Sequence, residues 1–138
     1  MRRSTLLVAA TLAACAGPVD VGQTAWQGTF PGGPGRITGS VAAVSGSGRT
    51  HASIAIQHGT PGQAFGWRIR LGDCQAEGAL VGGAASYPVL TVAEDGTAGA
   101  DVYLSRTMSA GPYAARLVQL QAGGGQLLAA CTMLQQTP

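Results

Sequence analysis

Phe65-Gly66-Trp67-Arg68-Ile69-Arg70-Leu71-Gly72-Asp73-Cys74 is the stretch that decides the fold. Its alternation is strict. Phe65, Trp67, Ile69 and Leu71 point one way and Gly66, Arg68 and Arg70 the other, the period of a half-buried β-strand. One face therefore belongs to a core, and the other carries two guanidinium groups. Gly72-Asp73 then turns the chain into a cysteine.

The segments on either side have the same character. Arg36 to Val44 reads as a strand with Ile37, Val41 and Ala43 on one face and Thr38 and Ser40 on the other. Ser45-Gly46-Ser47-Gly48 is a hairpin connection to Thr50 to His58, whose Ala52, Ile54 and Ile56 point inward while His51, Ser53 and Gln57 point outward. Gly59-Thr60-Pro61-Gly62 breaks that strand. Beyond Cys74 a glycine- and alanine-rich loop is expected over Gln75 to Ser86. A strand follows over Tyr87 to Val92, with Pro88 near its start, where an edge tolerates the missing donor. Asp95-Gly96 is a strong hairpin signal into Thr97 to Arg106, with Ala98, Ala100, Val102 and Leu104 on one face. Met108 to Pro112 loops to a strand over Tyr113 to Leu120, and Gly123-Gly124-Gly125 turns it into a last one over Gln126 to Leu134. About seven short strands with no helical pattern outside the N-terminus describe an all-β, antiparallel sandwich or barrel of the Greek-key kind. Patterning alone does not choose among the immunoglobulin-like topologies.

The 138 residues form one domain without internal repeats. Met1-Arg2-Arg3, an apolar run from Leu6 to Ala14 and the box Leu12-Ala13-Ala14-Cys15 resemble a bacterial lipoprotein signal. An ordinary signal peptide that happens to hold a cysteine is the alternative. The lipoprotein reading removes residues 1–14 and anchors the mature chain to a membrane through acyl groups on Cys15. The apolar run is too short to cross a bilayer as a helix. Ala16, rather than an aspartate, follows the cysteine, which in a two-membrane bacterium resembles sorting to the outer membrane, facing the periplasm or the surface. Residues 15–35, punctuated by Pro18, Gly22, Pro31, Gly32, Gly33, Pro34 and Gly35, are expected as a flexible tether. Within it Trp26 and Phe30 either pack on the domain edge or form a sticky patch.

The charge balance follows from the signal. Eight basic residues face six acidic ones, but Arg2 and Arg3 leave with the signal, so the mature domain is formally neutral. That gives no reason to expect nucleic acid as a partner.

The organising stretch also carries a resemblance. An aromatic, then X-hydrophobic-X, then Gly-Asp and a cysteine resembles the copper-binding strand of Cu/Zn superoxide dismutases and their short bacterial relatives, in which both X positions are histidine. Val81-Gly82, Tyr87-Pro88-Val89-Leu90, Asp95-Gly96-Thr97-Ala98, Tyr113 and Leu128-Ala129-Ala130-Cys131 follow in the order seen in dismutase-like and chordin-type domains. The resemblance covers about residues 36 to 134. It implies a Greek-key, immunoglobulin-like sandwich of the Cu/Zn superoxide dismutase type over residues 36–135, and a disulfide between Cys74 and Cys131. Export points to the same bridge, since an even pair of cysteines in an oxidising compartment is expected to be joined.

The departures from that pattern concern the metal. Arg68 and Arg70 stand at the two copper-ligand positions, and guanidinium has no lone pair to offer. The loop after Cys74 lacks the zinc-binding histidines, no histidine follows Tyr113, and Leu128 stands about where a dismutase carries its substrate-steering arginine. His51 and His58, the two histidines of the chain, are an odd number of residues apart on one strand and cannot jointly ligate an ion there. Neither a metal nor another cofactor is expected. No serine, cysteine or carboxylate has the histidine partner that hydrolysis would need. The expected function is therefore a non-enzymatic envelope lipoprotein that uses the sandwich as a scaffold or binding module. The rival is a dismutase-type metal enzyme or copper handler, against which a count of two histidines speaks. Arg68 and Arg70 have two readings: a small anion or carboxylate site, or surface pairing with Asp73, Asp101 or Glu77.

Overall fold

The structure, a computed structural model, describes residues 22–137. The expected signal, Cys15 and the start of the expected tether lie outside the described residues. Nine strands follow in sequence: β1 (Thr24–Phe30), β2 (Thr38–Gly46), β3 (Arg49–Gln57), β4 (Ala64–Gly72), β5 (Glu77–Leu80), β6 (Leu90–Thr91), β7 (Ala98–Leu104), β8 (Tyr113–Leu120) and β9 (Gln126–Thr137), with a single 3-10 turn at Ala84–Ser86. All described pairings are antiparallel, and the hydrogen-bonded order is β5-β4-β8-β9-β1-β2-β3-β7, with β6 added to β4.

This long sheet curls on itself because β9 serves two partners. Its first part pairs with β8 from Gln126↔Leu120 to Leu134↔Tyr113, and its last residues, Gln135 to Thr137, pair with Gln27 to Ala25 of β1. The inner faces of β1, β2, β3 and β7 thereby meet those of β4 and β8. Phe30, Val41, Ile54 and Leu104 from one side and Phe65, Trp67, Ile69 and Leu117 from the other share one buried core. The alternation of β4 is as its sequence dictates, with Phe65, Trp67 and Ile69 sealed and Arg68 and Arg70 half-exposed outside. Two buried polar side chains are satisfied at one end of the core. The Thr50 hydroxyl donates to the Arg106 carbonyl (2.7 Å), and Ser45 Oγ accepts from the Met108 N–H (2.6 Å).

Three expectations are corrected. The tether expected over 15–35 contains strand β1, so the sandwich begins at Thr24 rather than Arg36 and runs to Thr137. Trp26, Gly28 and Phe30 alternate at period two and face inward. Of these, Trp26 lies edge-on to Tyr113 with ring centroids 4.9 Å apart. The flanking Pro and Gly residues masked a run short enough to pass for linker. Second, the strand expected over Tyr87 to Val92 shrinks to Leu90–Thr91. Side chains rather than a ladder hold its first half: the Tyr87 hydroxyl donates to the Val81 carbonyl (2.6 Å) and Trp67 Nε1 to the Pro88 carbonyl (3.1 Å). Third, the loop expected over Gln75 to Ser86 contributes the edge strand β5, paired to β4 through Arg70↔Leu80 and Gly72↔Glu77.

Candidate functional site: an arginine groove on the outer sheet face

The outward face of β4 carries Gly66, Arg68 and Arg70, and that of β8 carries Arg116 and Val118 beside it. The register sets Arg68 directly opposite Arg116 and Gly66 opposite Val118. With Glu77 of β5 and the Tyr87–Val89 segment along the edge of β4 away from β8, these residues line a groove of about 420 Å³, within the range of ligand pockets.

Each arginine is held at one end and free at the other. Arg68 Nη1 donates to the carbonyl of Trp67 (2.7 Å), and its guanidinium lies over the Tyr87 ring, 5.4 Å from the centroid. Arg70 Nη1 donates to the Gly78 carbonyl (3.2 Å). Arg116 Nη1 pairs with Glu77, and Nη2 donates to the Cys74 carbonyl (2.8 Å). Its buried Nε has no hydrogen-bond partner among the described residues. A guanidinium offers five N–H donors, so all three keep unused donors.

Little negative charge answers them. Asp73 Oδ1 accepts from the backbone N–H groups of Gln75 (2.8 Å) and Ala76 (2.7 Å) and so closes its own turn. Asp101 pairs with His51 (3.2 Å). Of the three acidic partners expected for Arg68 and Arg70, only Glu77 reaches the groove, and it takes Arg116. Among the described residues Arg68 and Arg70 form no ion pair. Tyr87 is no counter-anion either. Burial pushes its phenol up to about 12, against the pull of the Arg68 and Arg70 charges beside it, so it stays neutral at physiological pH. Three guanidinium groups against one carboxylate leave two positive charges unmatched.

The expected disulfide is present. Cys74 and Cys131 are joined with their Cα atoms 5.9 Å apart. Cys131 is the β9 partner of Arg116, so the bridge crosses β8 beside the guanidinium and brings the Cys74 carbonyl within its reach. Arg116 is the site residue that sequence reasoning missed. Its signal was the alternation Ala114, Arg116, Val118 on a strand already assigned.

The histidines lie elsewhere. His51, on the outer face of β3, pairs with Asp101 and packs on Tyr103 at 4.9 Å. His58 follows β3 with φ +63 and its Nδ1 is hydrogen-bonded to Thr38 Oγ1 (2.8 Å). No three His, Cys, Asp or Glu side chains gather as a metal site among the described residues. Leu128 stands opposite Val118 on β9 and is 58% exposed.

An all-β curled sandwich with a cationic groove on one outer face is the class of protein that fold and site define. In comparison with known proteins the chain matches no protein-family model and no curated protein sequence.

Proposed function

We propose that the chain is a non-enzymatic envelope lipoprotein whose sandwich, a degenerate relative of the superoxide dismutase domain, serves as an anion-binding module. The observation that carries this reading is the convergence of Arg68, Arg70 and Arg116 on one groove with Glu77 as the single carboxylate among them. Guanidinium forks with unused donors are suited to carboxylate or phosphate oxygens. The dismutase-like, Greek-key part of the reading draws on the strand path. β1, β2 and β3 follow one another as antiparallel neighbours, β9 returns to lie beside β1, and the chain crosses from β3 to β4 on the opposite side of the core. That path supports a Greek-key reading, with the last strand rather than the fourth taking the place beside the first. The Cys74–Cys131 bridge stands where the resemblance calls for it.

Isothermal titration of the full chain carrying Cys15→Ala, in low-chloride buffer, tests the module with sodium acetate and inorganic phosphate as probes. Both anions are expected to bind, with affinity falling as salt rises. The Arg68→Gln, Arg70→Gln double variant should bind neither. Equal heats from the variant and the parent overturn the reading. Copper and zinc ions at micromolar concentration are expected to leave the melting temperature unchanged. A rise by either would favour a dismutase-type metal site, since an ion that binds the native state stabilises it. Mass spectrometry of the chain recovered from membranes is expected to find an acylated Cys15 at the N-terminus, and a plain amine at another residue would remove the anchor.

A further inference from the structure

The groove has two chemistries laid end to end. The arginines occupy the end beside β5. Toward the start of β4 the same face becomes mainly apolar, because Gly66 has no side chain and Val118 and Leu120 of β8 lean across it, with the polar Gln126 of β9 beside Leu120. A Cβ at Gly66 would meet Val118 Cγ2 at 3.3 Å and Leu120 Cδ2 at 3.7 Å. Val89, 57% exposed, flanks this floor from the segment that Tyr87 and Pro88 pin to the core. From the Arg68↔Arg116 pair to the Ala64↔Leu120 pair is four residues of strand, or roughly 13 Å, and no charged side chain lines the groove along that length. A small hydrated anion would satisfy the arginine end and leave the apolar end wet.

We propose that the natural ligand is an amphiphile with one anionic head, a carboxylate or a phosphate monoester, and an unbranched apolar tail. The head sits among Arg68, Arg70 and Arg116, and the tail lies over Gly66, Val118 and Leu120 beside Val89. This inference rests on the anion-binding reading and adds the tail to it. The two ends reinforce each other. A tail that displaces water from the floor also shields the head, and charge pairing strengthens in such a site.

The test is a ligand series titrated calorimetrically into the full chain carrying Cys15→Ala, with every probe below its micelle concentration. Sodium acetate, butyrate and octanoate vary the tail, octyl phosphate varies the head, and octylammonium reverses its charge. Full burial of a methylene is worth about 0.8 kcal/mol, about fourfold in affinity. For a groove open on one side the expectation is therefore at least about tenfold tighter binding of octanoate than butyrate, and none of octylammonium. The stronger of octanoate and octyl phosphate names the head. The Val118→Ser, Leu120→Ser variant, changed only on the outer face, should keep acetate binding and lose the dependence on chain length. If acetate and octanoate bind equally to the parent, the amphiphile is overturned while the anion module stands. If no anion binds, both fall. Octylammonium binding as tightly as octanoate would mean that the apolar floor alone holds the tail, which overturns the amphiphile and leaves the anion module to be decided by acetate.

Discussion

Arg68 and Arg116 face each other across β4 and β8, an arrangement that ordinarily destabilises a sheet by some tenths of a kcal/mol. Glu77 relieves half of that conflict, and a bound anion would relieve the rest. Tyr87 lies beside this charge, and burial holds its proton on to higher pH still, with the hydroxyl donating to Val81. A stability signature follows, and its sign is fixed. The folded pKa, about 12, lies above the ordinary value of 10, so as pH rises past 10 the unfolded chain gives up this proton first. The contribution is complete below pH 10 and is lost progressively up to pH 12, on the order of 2–3 kcal/mol in all. Urea midpoints measured from pH 9 to 11.5 should fall more steeply for the parent than for Tyr87→Phe. The variant starts about 1 kcal/mol lower through its lost hydrogen bond, and parallel curves would remove the claim.

Among the elements, β1 matters most for its modest sequence. It joins β9 to β2 and delivers Trp26 and Phe30 to the core, both at most 4% exposed. Trp26→Ala is expected to cost about 3–5 kcal/mol in a urea melt. Trp26→Phe should cost less than half of that, because the indole Nε1 has no hydrogen-bond partner to lose among the described residues. A near-neutral alanine variant would return the segment to the status of a tether. The sequence disclosed elements wherever an apolar face alternates over seven or more residues between glycine turns, as in β3, β4 and β7. It concealed β1, where a bare glycine sits between two aromatics, and β5, which is an edge strand of four residues with nothing buried. It misread Tyr87 to Val92, where aromatic and proline read as strand but serve as a side-chain clasp. At the site, Arg68 and Arg70 were legible as a pair from β4 alone. Arg116 was not, because which residue of β8 opposes Arg68 depends on a register that no local pattern encodes.

For the molecule as a whole, the Cys74–Cys131 bridge ties the turn after β4 to β9 across 57 residues of chain. Closing such a loop is worth roughly 4 kcal/mol in the chain-entropy model, so the Cys74→Ser, Cys131→Ser double variant should melt about 10–20 °C lower. It should also bind acetate more weakly where still folded, since the Cys74 carbonyl that steadies Arg116 is freed. A melting temperature within a degree or two of the parent would show the bridge to be dispensable. The length of β9 has a different consequence. Its last residue, Thr137, lies opposite Ala25, so both ends of the described chain adjoin. Its first, Gln126, flanks the hairpin where the apolar mouth of the groove opens, roughly 40 Å away along the strand. Eight residues lie between Cys15 and Thr24, a leash of at most about 30 Å. On a chain anchored as proposed, that leash is too short to let the domain stand on its hairpin end. A spin label at Gly124→Cys should accordingly sense a lipid-borne relaxation agent less than one at Gln136→Cys. On that anchoring the apolar mouth of the groove lies at the end of the domain away from the acyl chains.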